Sequence, residues 1–381
     1  MEIRLVKNDE LSQAVRLADD IFRTTGQSSM GKSFPLLFQP GISHSYGAFE
    51  DGMLVSFMGL VPSIMQVGKA KLHVFSMGAV CTHPNYRGQG IAGQLLDRCK
   101  LHADEAGASL LFISGDRSLY TRVHCYPFGQ TERFTLDAES AARLKITAMA
   151  LDDGSIGGSS PLILRSLEAK DMFALHAAAA AREVKYEQSM SDLAQLIDAE
   201  AYASCLRLSH QTLVGARLTG SVESFAVIAV PDPTHSTDSK PPTIIESAGP
   251  AAQVGILLAD AVERWNLPLL EIPVGWHQQQ LIQLLQKAAV PSVTKANSGT
   301  VYVVNPQRVF DQAAVNSLYE GQLHCSTQMD GSYRLEAGET TITMTPSELV
   351  SLFFDPASSH RTRIPEWSTI PLPYTNGLYY I

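Results

Sequence analysis

Apolar and polar positions along this chain recur with two periods, and their order predicts alternating strands and helices. The pattern is densest from Val74 to Gly107. Val74-Phe75-Ser76-Met77-Gly78-Ala79-Val80-Cys81 reads as a strand. It is broken at His83-Pro84-Asn85, because Pro84 cannot donate to a ladder. Ile91, Leu95, Leu96, Cys99 and Ala103 then recur at helical spacing and form one apolar stripe. Upstream, Glu2 to Val6 alternates as a strand. A helix is predicted from about Glu10 to Phe22, capped by Asn8 or Asp9, with Leu11, Val15, Ala18 and Phe22 on one face. Thr24 to Gly41 reads as a second helix or a loop. Ser45–Glu50 and Met53–Val67 form a hairpin about Asp51-Gly52, with Pro62 marking a bulge or kink. Ser109 to Ser114 is continuously apolar apart from its ends, as a central buried strand requires. Phe128 to Leu136 is expected to close this first domain as a strand.

An alanine-rich stretch from Ala138 runs into Asp152–Ser160, a polar, glycine-rich segment with the composition of a linker. Strands are then predicted at 161–167, 225–230, 243–247, 267–274 and 301–304, with helices at 171–182, 251–265 and 277–289 and a helix and strand within 192–208. Residues 231–242 carry four prolines and read as an exposed loop. Beyond Pro306 the pattern gives a short helix at Phe310, a strand meander over 321–344, and a helix opened by Thr345-Pro346-Ser347-Glu348. Three domains follow, at 1–150, 151–305 and 306–381.

Composition narrows the class. The 381 residues are 45% hydrophobic and 18% charged, as in a globular protein with ample core. The net charge of −9 argues against nucleic acid as main partner. The five cysteines show no Cys-x-x-Cys spacing, so reduced thiols, no metal and a cytoplasmic location are expected. No hydrophobic leader opens the chain and no run approaches the ~18 apolar residues of a membrane span.

The chemistry concentrates at Asn85-Tyr86-Arg87-Gly88-Gln89-Gly90-Ile91-Ala92. A glycine-rich turn opening a helix offers free backbone N–H groups at the positive end of the helix dipole, which suits a pyrophosphate. Gly88 and Gly90 let backbone approach phosphate without a Cβ between them. The dinucleotide fingerprint and the P-loop do not fit, for want of a third glycine with a later acidic residue, and of a Gly-Lys-Ser/Thr step.

Arg87-x-x-Gly90-x-Ala92, with its preceding strand and Pro84, resembles the acetyl-CoA signature of the GNAT superfamily of N-acetyltransferases. That resemblance implies pantetheine along Val80, Cys81 and Thr82. It implies pyrophosphate on Gly88, Gln89, Gly90, Ile91, Ala92 and Gly93, beside Arg87, and the cofactor's far end near Gly115 and Asp116. Leu119 to Tyr126 resembles the family's short helix, whose tyrosine sits beside the CoA sulfur. Tyr120 matches it, as general acid toward the departing thiolate. His124-Cys125 departs from the family pattern and keeps Tyr126 in reserve. The order of the domains resembles the enhanced intracellular survival class of acetyltransferases: an active GNAT domain, a degenerate one and a sterol-carrier-like tail. The fold implied is α+β with tandem mixed sheets and flanking helices. The Val74–Cys81 strand carries no carboxylate. In the resembled class the C-terminal carboxylate enters the active site as base, which would be that of Ile381; His73 and His124 are alternatives. The implied reaction is acetyl transfer from acetyl-CoA to a primary amine such as an aminoglycoside, polyamine or lysine side chain. The expected assembly is a homo-oligomer, hexamers being common in that class. Two other functions stay open: an acyl-CoA-binding sensor or scaffold without turnover, and a lipid carrier acting through 306–381.

Overall fold

The computed structural model describes residues 1–115, 118–153, 161–218, 220–231, 240–316, 323–364 and 367–381. These form two compact units, not three consecutive ones. The first holds residues 1–129, 296–375 and 381; the second holds 130–295 and 376–380.

The first unit is built on β1 (Glu2–Leu5), β2 (Tyr46–Glu50), β3 (Met53–Val67), β4 (Ala70–Thr82) and β5 (Leu110–Ile113). The β2–β3 hairpin turns at Asp51-Gly52, both at positive φ (49° and 79°), the backbone of a tight two-residue turn. Strands β3 and β4 run antiparallel, while β4 and β5 are parallel and joined by the Ile91–Glu105 helix. The predicted stripe of that helix is the buried one: Ile91, Leu95, Leu96, Cys99 and Ala103 all pack into the core with Met58, Phe75, Met77 and Leu111. Burying the isoleucine and the two leucines stabilises by roughly 1.5–3 kcal/mol each. The helix ends at Gly107 (φ 80°), and the Arg308 guanidinium binds the Asp104 and Ala108 carbonyls at 3.0 and 3.1 Å. A cation there faces the negative end of the helix dipole. Thr24 to Gly41 contains two short helices, Met30–Ser33 and Pro35–Phe38, burying Met30, Leu37 and Phe38.

Two strands lie elsewhere than the sequence pattern suggests. The strand expected to close the first domain, β6 (Thr131–Leu136), pairs with strands of the second unit. In the chain's remaining strands, β7 (Ile163–Ser166), β8 (Val184–Tyr186), β9 (Leu208–Ala216), β10 (Val222–Pro231), β11 (Thr243–Ala248), β12 (Leu270–Gly275) and β13 (Ser292–Lys295) also belong to that unit. The next, β14 (Thr300–Val303), instead pairs antiparallel with β5, so the first sheet runs β1-β2-β3-β4-β5-β14. Hydrophobic alternation shows that a segment is a strand but not which distant edge it joins. A small meander, β15 (Leu323–Thr327), β16 (Tyr333–Ala337) and β17 (Thr340–Met344), and the Pro346–Phe354 helix complete the first unit.

The second sheet runs β13-β6-β12-β11-β10-β9-β7, with only β11 and β12 parallel. Between those two lies the Ala251–Arg264 helix, so the strand–helix–strand order of the first unit recurs. Its loop, Gly249-Pro250, has neither arginine nor second glycine. Alanine-rich 138–153, expected to lead into a linker, is a helix whose Ala141, Leu144 and Ala148 join this unit's core. Residues 154–160 of the expected linker lie outside the described residues.

Burial pushes the His210 and His277 imidazoles of the second unit down to about 4. His210 meets the Ile197 carbonyl at 2.9 Å, and its Nε2 is buried without a partner. The unfolded chain takes up these protons more readily, so the neutral rings stabilise the fold above about pH 6.5. That stability drains as pH falls through 4. Thermal melts should show the midpoint falling steadily from pH 7 to pH 4, and less steeply in His210→Gln.

Candidate active site

Strands β4 and β5 pair only from Val74 opposite Leu110 to Met77 opposite Ile113. A last bond, Ser114 N–H to the Met77 carbonyl at 3.2 Å, closes the shared ladder. From Gly78 onward β4 continues without β5, so a V opens at their carboxyl ends. On its other side β4 stays paired with β3, with one irregularity. Phe57 faces Cys81 and Gly59 faces Gly78, leaving Met58 against two residues, Ala79 and Val80. This is a β-bulge on β4. Ala79 sits at φ 50°, a left-handed conformation that costs a non-glycine residue roughly 1 kcal/mol or more. The sequence pattern points to Pro62 for the irregularity, but Pro62 pairs in register with Phe75. The usable signal was Gly78-Ala79, a glycine inside an otherwise apolar strand.

Val80 and Thr82 are half-buried along the open arm. Cys81 is buried, and burial pushes its thiol up to about 12, so it is no thiolate at neutral pH. The Ser56 hydroxyl donates to the Cys81 carbonyl at 2.9 Å and meets the Thr82 hydroxyl at 2.7 Å, holding this arm to β3.

The loop follows a turn at Pro84–Tyr86. Arg87 folds back, its Nε donating to the Thr82 carbonyl at 3.1 Å. Gly88 and Gly90 adopt φ 79° and 75°, and a Cβ on either, or on Gly93, would meet nothing within 4 Å. Their glycine identity answers to backbone conformation at Gly88 and Gly90 and to neither constraint at Gly93. Among the described residues, nothing accepts from the N–H groups of Gly88, Gln89, Gly90, Ile91 or Ala92, whereas Gly93 N–H binds the Gly90 carbonyl at 3.1 Å. No acidic side chain lies in the helix's first turn. A row of unsatisfied donors opening a 15-residue helix is a seat for an anion such as a diphosphate.

On the other arm, a Cβ on Gly115 would lie 2.9 Å from Cε2 of Tyr120, whose buried ring therefore covers Gly115. Asp116, expected at the cofactor's far end, lies outside the described residues. Tyr126 bridges to Val301 and its hydroxyl meets His124 at 3.3 Å. Of the two tyrosines, Tyr120 is the one whose ring covers Gly115. Strand β14 supplies a support that the sequence does not reveal: the Thr300 hydroxyl donates to the Gly115 carbonyl at 3.1 Å.

Ile381 is buried, and its terminal carboxyl group lies where a Cβ on Gly78 would stand. The carboxyl thus rests on the backbone at the mouth of the V. His73 is exposed and sits on β4 opposite Ile64, five positions before Gly78, within the closed part of the ladder. His124 is exposed at φ 65°. Among the described residues no three His, Cys, Asp or Glu side chains cluster to hold a metal, and no helix is long and apolar enough to cross a membrane.

Comparison with known proteins agrees with this geometry. Residues 2–127 match the family model for the acetyltransferase (GNAT) domain. No curated protein matches the chain. Among solved structures, Eis1 from Mycobacterium abscessus is similar at 11% identity and TM-score 0.63, over 97% of this chain and 94% of that one. A GCN5-related N-acetyltransferase from Anabaena variabilis has the same identity, TM-score and coverage. One from Kribbella flavida matches at 13% identity and TM-score 0.56, over 90% of this chain and 84% of its own. At such identities the structures speak for a shared fold, and the family model speaks for the first domain. Parted strands, donor-lined loop and family match together make residues 2–127 an acetyltransferase domain of the GNAT type.

Proposed function

We propose that this chain transfers acetyl from acetyl-CoA to a primary amine of the aminoglycoside, polyamine or lysine type, by direct attack of the amine on the thioester. The observation that carries the reading is the seating of the Ile381 carboxyl on Gly78, at the point where β4 and β5 part. Acetyl-CoA brings the activated acyl group. Its diphosphate would lie on the donors from Gly88 to Ala92, and its pantetheine along Val80 to Thr82, next to the bulge. The Ile381 carboxylate receives the proton that the amine loses as its nitrogen bonds to the acyl carbon. The carbon–sulfur bond breaks, and Tyr120 gives the sulfur a proton, later recovered from water. A phenol can donate to a thiolate, and a carboxylate shielded from water is a better base than an exposed one. The competing sensor reading predicts donor binding without turnover.

Incubating the protein with acetyl-CoA and a panel of aminoglycosides, polyamines, amino acids and lysine peptides, and following free thiol, tests the proposal. Amine-dependent thiol release is expected, and a blank panel with intact acetyl-CoA binding would favour the sensor. Tyr120→Phe should lower kcat by about 10²-fold, within the usual range for a lost general acid, and leave acetyl-CoA affinity within twofold. Gly90→Val places a branched Cβ at φ 75° and crowds the anion seat. It should weaken acetyl-CoA binding at least tenfold by calorimetry. Gly78→Ala drives its methyl into the Ile381 carboxyl and should cut kcat at least tenfold, with acetyl-CoA still bound.

A further inference from the structure

We propose that Asn297 is the positioning residue that aims the Ile381 carboxylate. The inference rests on reading that carboxylate as the base. Asn297 lies between β13 and β14 and is buried, 7% exposed. Its amide Nδ2 donates to the Pro373 carbonyl at 2.9 Å, and its Oδ1 accepts from the Thr375 N–H at 3.2 Å. A carbonyl and an N–H two residues apart are what a parallel strand would offer a neighbouring peptide group. The Asn297 carboxamide therefore stands in for one residue of a ladder toward the tail's main chain, while its Oδ1 also accepts from the Ser298 N–H at 2.8 Å. The Thr375 hydroxyl adds bonds to Oδ1 at 3.2 Å and to the Ser298 carbonyl at 2.6 Å.

The anchor itself is fixed to the β5 arm. Asn297 N–H binds the Phe128 carbonyl at 2.9 Å. Gly299, at φ 73°, packs so close that a Cβ there would strike the Ile113 carbonyl oxygen, the end of β5. Thr300 next holds Gly115. The loop that grips the tail at Pro373 and Thr375 is thus bound to one arm of the V, and the tail's end rests on Gly78 of the other. Only residues 376–380 lie between grip and terminus. No ordinary side chain except a carboxamide supplies both a donor and an acceptor in this geometry. Asp at 297 would face the Pro373 carbonyl with an oxygen; Ala would leave both peptide groups without a partner.

The test uses a chain ending at Ile381 and two independent readouts. Carboxypeptidase release of the terminal isoleucine reports whether the tail is held, whatever the chemistry. It should be slow in the parent and at least tenfold faster in both Asn297→Ala and Asn297→Asp. Equal release rates, with circular dichroism showing both variants folded, would overturn the inference. The second readout is kcat and KM with acetyl-CoA and the best amine of the panel. Asn297→Ala should lose at least tenfold in kcat, with KM for acetyl-CoA within twofold, and Asn297→Gln, which keeps the carboxamide, should recover part of it. Deleting Ile381 separates the two claims. If deletion leaves kcat unchanged, the carboxylate is not the base, and the release assay alone judges the grip. If deletion abolishes turnover while Asn297→Ala retains full kcat, the positioning role is wrong. With both changes combined, kcat should fall no further than with deletion alone; additive losses would mark Asn297 as merely structural.

Discussion

The brevity of one strand pairing governs this molecule's chemistry. Strand β5 accompanies β4 for four residues and then leaves it. Peptide groups that have lost a neighbour strand still require hydrogen-bond partners when water is kept from them. In a closed parallel sheet those partners would be the next strand. Here the sheet is held open from three sides. The bulge at Ala79 and Val80 turns the β4 arm, β14 binds β5 along its outer edge, and the close approach of Gly299 fixes where β5 stops. The result is a cleft lined by main chain, which can be filled by an extended ligand or by the end of the polypeptide.

A cleft of that kind draws little on side-chain identity. The donors of the Gly88–Ala92 loop are backbone, the group resting on Gly78 is a chain terminus, and Asn297 recognises the tail through its peptide groups. Two nearby side chains with acid–base potential are poorly placed for proton transfer: Cys81 is held as a thiol by burial and His73 lies in the paired part of β4. Backbone geometry can outlast wide drift in sequence, which accords with a fold shared at 11% identity over nearly the whole chain.

Local features were legible in the sequence because they depend on near neighbours. The stripe Ile91 to Ala103 reads directly from 3.6-residue periodicity, and Asp51-Gly52 from the positive φ that a tight hairpin needs. The glycine-rich loop was legible because its two left-handed positions demand glycine. What escaped was non-local. Nothing in Thr131–Leu136 or Thr300–Val303 records which of two sheets will accept them, since edge strands of either would pair with the same backbone. The bulge was misplaced to Pro62 because proline is a strong local mark, while Gly78-Ala79 gains meaning only beside Gly59 and Met58 on the facing strand. The alanine-rich stretch after 138 looked featureless for the same reason: its small residues mark a close helix–helix contact only once the partner helix is known.

The late arrival of β14 bears on how the chain is made. A ribosome delivers β5 and then the whole of residues 130–295 before Thr300 emerges, so the nascent first sheet waits with the edge of β5 bare. Such long-range closure slows folding and leaves an open edge on which strands of other chains can add. Expression trimmed after residue 127 or 129, the boundary that family matching and compactness would suggest, would make that transient edge permanent. A self-sufficient version of this domain would be one in which β14 is grafted directly behind Gly129 and returned to β5 by a short turn.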